Sequence, residues 1–277
     1  MELWFTEKQT PSLGITCALS NVLHREKSIY QDIAVLETLQ FGRMLVLDGM
    51  VMTTEQDEFV YHEMITHIAL FTHPNPERVL VVGGGDGGAI REIVKHQKVK
   101  EAILAEIDER VIEVSKKYLP SISAGLSDPR VKICVSDGIK HVQEHENYYD
   151  IILVDSTEPI GPAEGLFARQ FYQDVFYALK PDGMMVAQTE SPFINADLIK
   201  KVFHYIGEIF PVTRLYQASI PTYPSGLWTF TLGSKKYDPL EAVLPEEIPF
   251  PTRYYNFAVH KGAFLLPEMA RRLTVRE

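Results

Sequence analysis

Residues 83–88 read Gly-Gly-Gly-Asp-Gly-Gly and follow directly on the apolar run Val79–Val82. Gly83, Gly85 and Gly88 fit G-x-G-x-x-G, the turn at which a strand enters a helix and the first helical N–H groups face a nucleotide. Asp86 stands inside that turn, where its carboxylate would repel a phosphate. Further polar and acidic residues close the apolar segments that follow: Glu106 and Asp108, Asp137 with Gly138, the run Asp155-Ser156-Thr157-Glu158, and Gln188 with Glu190. No Lys or Arg is among them, so a triphosphate or pyrophosphate ligand does not fit. Glu106 lies 18 residues beyond Gly88 (106 − 88), where an acid grips ribose hydroxyls in nucleotide-binding folds. Asp137 suits either a helix cap or an acceptor for an adenine amino group. Asp155 ends an apolar strand and is followed by STEPIGPAEGLF, a Gly- and Pro-rich segment of the kind that covers a catalytic edge.

Other motifs point nowhere. His141 to His145 match H-x-x-E-H, but they fall on the helix after the third strand of the alternating region, away from the strand ends, so zinc is not expected. His62 and His67, five apart on a helix, diverge and make no ligand pair. The Lys116-Lys117 and Lys235-Lys236 pairs read as solvated faces.

The elements that must carry these residues are legible from periodicity. ITCALS, DIAVLET and RMLVLDGMVMTT are short β-rich runs within residues 1 to about 55, and Asp48-Gly49 is a hairpin signal. Val60, Met64, Ile68 and Phe71 repeat at helical spacing over about 57–72, after a capping-box-like Thr54 to Asp57. From residue 78 the chain alternates. Strands VLVV, AILAEID, VKICVSD, DIILVDS and MMVAQTE are separated by helical patterns near 86–96, 109–118, 138–145, 167–179 and 195–209. That rhythm predicts an α/β fold, a doubly wound and mostly parallel sheet. LWTFTLGS at 227–234 suggests a late strand, and the proline-rich tail from 237 has no clear pattern. The expected division is a β-domain over 1–56 and a Rossmann-like catalytic domain over 57–277.

The 277 residues are 45% hydrophobic and long enough to bury a large core. Lys+Arg 27 against Asp+Glu 37 leaves −10, which disfavours nucleic acid and anionic membrane and mildly favours cationic ligands. Two cysteines, Cys17 and Cys134, make neither a disulfide framework nor a zinc set and read as buried thiols. The opening MELWFTEKQT has no basic-then-apolar signal, and no run approaches 18 apolar residues. A cytoplasmic protein without a membrane span is expected.

Asp86 makes sense if the ligand is a nucleoside that carries a cation. S-adenosyl compounds combine ribose, adenine and a sulfonium. The carboxylate of S-adenosylmethionine would be opposed by Asp86. Without it, an aminopropyl ammonium remains that Asp86 attracts. An uncompensated like-charge contact in a poorly solvated pocket costs a few kcal/mol, roughly a hundredfold in affinity.

Over essentially its whole length the sequence resembles the spermidine synthases, the polyamine aminopropyltransferases. LDGMVMTTEQDEFVYHEM, GGGDGG, DSTEPIGPA and IPTYPSGLWTF look like that family's signature blocks in the family's order. The resemblance implies a small N-terminal β-domain on a Rossmann-like core of the S-adenosylmethionine-dependent methyltransferase type, assembled as homodimers or homotetramers. It implies transfer of aminopropyl from decarboxylated S-adenosylmethionine to putrescine, giving spermidine and 5'-methylthioadenosine, with no metal or redox cofactor. By motif, Asp155 is similar to the catalytic acid-base residue. His62, Asp86, Ser156, Thr157, Glu158, Tyr61 and Tyr223 resemble contacts to the amine or aminopropyl group. Gln31, Gly83, Gly85, Glu106, Asp137, Gly138 and Pro162 resemble contacts to the nucleoside. Met52 departs from the pattern, standing where many relatives carry Gln.

A primary amine near the lysine reference of ~10.4 arrives protonated, and a carboxyl at ~3.9 is a weak base for it. Burial of Asp155 and a proton shared with Tyr61 or water would help. Asp155 and Glu158 would also stabilise the positive charge that moves from sulfur to nitrogen. Glu190 and Gln188 are candidates for the far ammonium of the diamine. Three rivals compete. A class-I methyltransferase is disfavoured by Asp86, and a dinucleotide-dependent dehydrogenase by Asp86 and the absence of cations in the loops. A non-catalytic polyamine binder is disfavoured by the intact Asp155 run. The acceptor, whether putrescine, cadaverine, agmatine or spermidine, stays open, because one methylene is worth only about 1–3 kcal/mol.

Overall fold

The computed structural model describes residues 2–158 and 161–275, with the backbone alone at Pro162. Five strands come first: β1 (Leu3–Lys8), β2 (Gly14–Lys27), β3 (Asp32–Thr38), β4 (Gly42–Leu47) and β5 (Met50–Thr54). They pair in sequence order as an antiparallel meander. Asp48 and Gly49 join β4 to β5 with φ of 49° and 83°, the double positive φ that makes Asp-Gly a tight hairpin turn. One face of this sheet (Ile33, Val35, Leu45, Leu47) packs on Val111, Val114, Leu119 and Ile122, so the meander lies over the helical segment at 109–123.

Helix α1 (Glu58–Thr72) leads into the alternating region: β6 (Arg78–Gly83), α2 (Gly88–Ile93), β7 (Glu101–Glu106), α3 (Glu109–Tyr118), α4 (Pro120–Ser123), β8 (Val131–Val135), α5 (Gly138–Gln143), β9 (Tyr149–Asp155), α6 (Arg169–Ala178), β10 (Leu179–Gln188) and α7 (Ala196–Ile209). Two further strands, β11 (Val212–Ser219) and β12 (Leu227–Ser234), complete a seven-stranded sheet in the order β11-β12-β10-β9-β6-β7-β8. The five strands from β10 to β8 are parallel, while β12 is antiparallel to both its neighbours, β10 and β11. The apolar strand runs are buried because both faces are covered. Val79, Val81, Ile151 and Leu153 pack beneath α1 and α2, while Leu80, Val82, Ile152 and Val154 pack against α5, α6 and α7. Short helices α8 (Phe257–Gly262) and α9 (Glu268–Arg271) close the chain.

The structure corrects several expectations. The helix after the glycine turn spans six residues rather than 86–96. The Thr54–Asp57 segment is no capping box, since Asp57 makes no side-chain cap bond and its carboxylate instead accepts from Thr54 and Thr222. Lys235 is not a solvated residue, because its Nζ donates to the Leu179 carbonyl and lies over the Phe176 ring. Cys17 and Cys134 are free and only half-buried. Among the described residues no helix is long and apolar enough to cross a membrane.

Candidate active site

In an open parallel sheet ligands bind beyond the carboxyl ends, where the strand order reverses. Here that point lies between β6 and β9, whose last residues, Gly83 and Asp155, are register partners. A cavity of about 260 Å³ opens there. Its walls come from the glycine turn, the ends of β7, β9 and β10, the β4–β5 hairpin and the Tyr223 loop.

The glycines are explained first by their neighbours. Gly83 has φ of +79°, and a Cβ on it would lie 2.2 Å from the Asp155 carbonyl oxygen. Gly84 has φ of +69°, and its Cβ would lie 2.6 Å from Asp155 Oδ2. A Cβ on Gly88 would meet the His62 ring at 2.2 Å. The turn is therefore bare so that Asp155 and His62 can press against it.

Asp155 sits at the centre. Its Oδ1 accepts from the Tyr61 hydroxyl at 2.7 Å. Its Oδ2 is buried with no hydrogen-bond partner among the described residues. Burial and the charge of Asp86 push its carboxyl up to about 6, against the opposing pull of His62 and the Tyr61 hydrogen bond. Asp86 Oδ1 accepts from Gly88 N at 2.7 Å and lies 3.4 Å from His62 Nε2. His62 Nδ1 faces Glu58 at 2.6 Å, and Arg91 grips both oxygens of Glu58.

Tyr223 closes one wall. Its hydroxyl donates to the Met52 carbonyl at 2.6 Å, and its ring lies 5.6 Å from Tyr61 and 4.8 Å from Trp228. Beyond Asp155, Ser156, Thr157 and Glu158 line the cavity. Gln188 Nε2 donates to the Ser156 carbonyl and to Glu190 Oε1. Glu190, fully buried, also accepts from Asn195. Burial, with Glu158 nearby, raises it to about 7.

On the other side Glu106 accepts from the Gly85 and Asp108 backbone N–H groups at 3.1 and 2.9 Å. Burial raises its carboxyl to about 7, with Asp108 adding to the rise. Gln31 reaches this corner from the meander by donating to Asp108 Oδ2 at 2.9 Å. Asp137 caps α5 through Ile139 N, as one of its two readings expected, and also lines the cavity. Gly138 packs against Val82, where a Cβ would come within 2.4 Å. The Pro162 expectation concerns a side chain outside those described.

Every other residue expected in the site thus lines this one cavity. Sequence reasoning missed Glu7, which comes from β1, is buried, accepts from Val51 N and is raised by its burial and by the charge of Glu158. It also missed Glu58, Arg91 and the Asp57–Thr222 tie, for which only the Glu58–His62 spacing of four gave a signal. The cavity wall holds Glu7, Asp86, Glu106, Asp155, Glu158 and Glu190 and, among the described residues, no Lys or Arg. The H-x-x-E-H histidines lie elsewhere: His141 bonds the Tyr149 hydroxyl and His145 the His141 carbonyl.

Such a site suits a nucleoside at the Glu106 end, cations beside Asp86 and Glu158, and proton or charge exchange at Asp155. Comparison with known proteins shows the family. Residues 58–242 match the spermine/spermidine synthase domain and residues 3–55 the spermidine synthase tetramerisation domain. The chain is 60% identical over 273 residues to a polyamine aminopropyltransferase of Caldicellulosiruptor saccharolyticus, covering 99% of this chain and 98% of that one. It is 59% identical over 268 residues to one of Bacillus mycoides, covering 97% and 98%. Among solved structures, a spermidine synthase in complex with the transition state analogue AdoDATO superposes with a TM-score of 0.96 at 41% identity, covering 98% of this chain and 94% of that one. The spermidine synthase from Thermotoga maritima gives 0.93 at 40% identity with the same coverage. The chain belongs to the spermine/spermidine synthase family, the polyamine aminopropyltransferases.

Proposed function

We propose that the enzyme transfers the aminopropyl group of decarboxylated S-adenosylmethionine to putrescine, yielding spermidine and 5'-methylthioadenosine. The observation that carries this reading is Asp155, paired with Tyr61, in a cavity lined by acids and free of Lys and Arg among the described residues. Asp86 receives the aminopropyl ammonium, and Glu106, Asp137 and Gln31 hold the nucleoside. Glu158, Glu190 and Glu7 face the far ammonium of the diamine.

The chemistry is a displacement at carbon. The amine nitrogen bonds to the methylene next to sulfur as the C–S bond breaks, and the electron pair passes to sulfur as a neutral thioether. The nitrogen must first lose a proton. With Asp155 at about 6 rather than ~3.9, transfer from an amine at ~10.4 costs about 6 kcal/mol instead of about 9. Once that proton has passed from Asp155 to water, the restored anion faces the positive charge that grows on nitrogen, and it stabilises the transition state more than the ground state. The match of residues 3–55 to a tetramerisation domain supports a homo-oligomer built through the meander.

The test offers decarboxylated S-adenosylmethionine with putrescine, cadaverine, agmatine or spermidine in turn and measures methylthioadenosine release. The expected result is release with putrescine well above the others. Preference for another amine would reassign the acceptor, and release with none would overturn the reading.

A further inference from the structure

His62 is enclosed by groups that can only accept. Glu58 Oε2 stands 2.6 Å from Nδ1, and Asp86 Oδ1, already accepting from Gly88 N, stands 3.4 Å from Nε2. With acceptors at both nitrogens, the ring satisfies them only with two protons, that is, as an imidazolium. Glu58 is in turn fixed. Arg91 donates to Oε1 at 2.9 Å and to Oε2 at 2.7 Å, the bidentate fork that sets a carboxylate's orientation. Arg91 is itself tied to Glu92 and to the Ser121 carbonyl, and Glu92 continues to His67 and Lys95. The ion pair that orients His62 is thus anchored in the packing of α1 on α2.

We propose that Glu58, clamped by Arg91, is a positioning residue that keeps His62 an imidazolium, the fixed cation of an otherwise acidic cavity wall, and so holds Asp155 anionic for the reaction. The groups facing His62 are Glu58 and Tyr61 from α1, Asp86 from the glycine turn and Asp155 from the end of β9, with Arg91 behind Glu58. Burial alone would strip a proton from His62, but Asp86 and Glu58 raise its affinity well above the usual imidazole value. His62 and Arg91 hold Glu58 at about 2 against its own burial. His62 in turn opposes the rise of Asp155 caused by burial and Asp86. Without the His62 charge, two carboxylates meet in a dry site and Asp155 takes up a proton at higher pH. The inference rests on the reading of Asp155 as the group beside the reacting nitrogen.

The first measurement uses the wild-type enzyme with 15N-labelled histidine, the His62 resonance being assigned by its loss in His62→Gln. The expected spectrum shows His62 doubly protonated at pH 7.5; a neutral ring there would overturn the proposal whether or not any variant folds. The second compares the pH profile of kcat/KM in Glu58→Gln. Its ratio to wild type is expected to fall about fivefold at pH 6 and to recover above pH 8, as the acid limb moves up by about one unit. Glu58→Asp, which restores the charge, should return part of that shift. A uniform loss at all pH values, or no change, would mean that Glu58 is merely structural. A wild-type enzyme inactive with every amine would sink the functional reading instead, leaving the His62 charge measurement to stand alone.

Discussion

The two oxygens of Asp155 have unlike surroundings, and that difference sets its chemistry. Oδ1 is held by Tyr61, while Oδ2 is buried without a partner. A carboxylate so treated binds a proton more readily than one in water, and the value of about 6 follows from burial first. Below that pH Asp155 is protonated and can neither accept a proton nor stabilise a cation; above it the anion is available. The rate with putrescine should therefore show an acid limb near pH 6. Asp155→Asn should lower kcat by 10²–10⁴, the usual worth of a positioned acid-base group, with methylthioadenosine affinity, measured by calorimetry, changed little. Tyr61→Phe removes a hydrogen bond that favours the anion, so the acid limb should move upward, by about one unit or less. A limb that moved down, or stayed put, would show that Tyr61 does not act through Asp155.

Elements decide which of these groups the sequence reveals. The apolar strands β6, β7 and β9 are legible because both faces are buried, and the alternation with helices then puts each following acid at one sheet edge. Asp86, Glu106, Asp137, Asp155 and Glu190 all follow from that rule. Strand β11, Val212–Ser219, escapes it because its half-covered antiparallel run mixes Arg214 and Gln217 with apolar residues. Arg91 and Glu7 escape because their partners are supplied by packing, and Glu58 because its spacing to His62 does not reveal the Arg91 clamp, which packing supplies. The same holds for Asp57, whose local pattern suggested a helix cap. Its Oδ2 instead accepts from the Thr222 backbone at 2.9 Å and from the Thr222 hydroxyl at 2.7 Å. That tie holds the loop presenting Tyr223 to the cavity, where Ser225 takes a φ of 62°. Thr222→Val keeps the backbone bond and removes the hydroxyl. At about 1 kcal/mol per lost bond, the KM for putrescine should rise several-fold with kcat much less affected; an unchanged KM would detach the loop from amine binding. At the end of β10 the chain turns with Glu190 at a φ of 72°, aiming a buried carboxylate that titrates near 7. A diamine stays dicationic through that range, so its KM should fall as pH rises from 6 to 8, and Glu190→Gln should flatten the trend.

At the scale of the molecule, the cavity exists only because the meander is laid over the parallel sheet. Glu7, Gln31 and the β4–β5 hairpin form a wall facing the glycine turn and Asp155. The carboxylates that meet there come from separate elements: Glu7 from β1, Asp86 from the glycine turn, Asp155 and Glu158 from the end of β9, and Glu190 from the end of β10. Packing like charges together costs stability in the empty enzyme. Glu7, Glu158 and Glu190 all have raised carboxyls, chiefly from burial. The chain as a whole adds a formal charge of −10, so the field outside the cavity also attracts a dication. Such a field acts over the Debye length, which shrinks from ~30 Å at 0.01 M salt to ~3 Å at 1 M. Raising salt over that range should lower kcat/KM for putrescine by an order of magnitude or more, mostly through encounter. The affinity for methylthioadenosine, which carries no charge near pH 8, should change little. Glu7→Gln and Glu158→Gln should each reduce the slope of log kcat/KM against salt, because each removes one charge that steers the amine. A slope equal for charged amine and neutral nucleoside would mean that salt acts on the fold or the assembly, and that the acids at the cavity wall serve binding at contact distance alone.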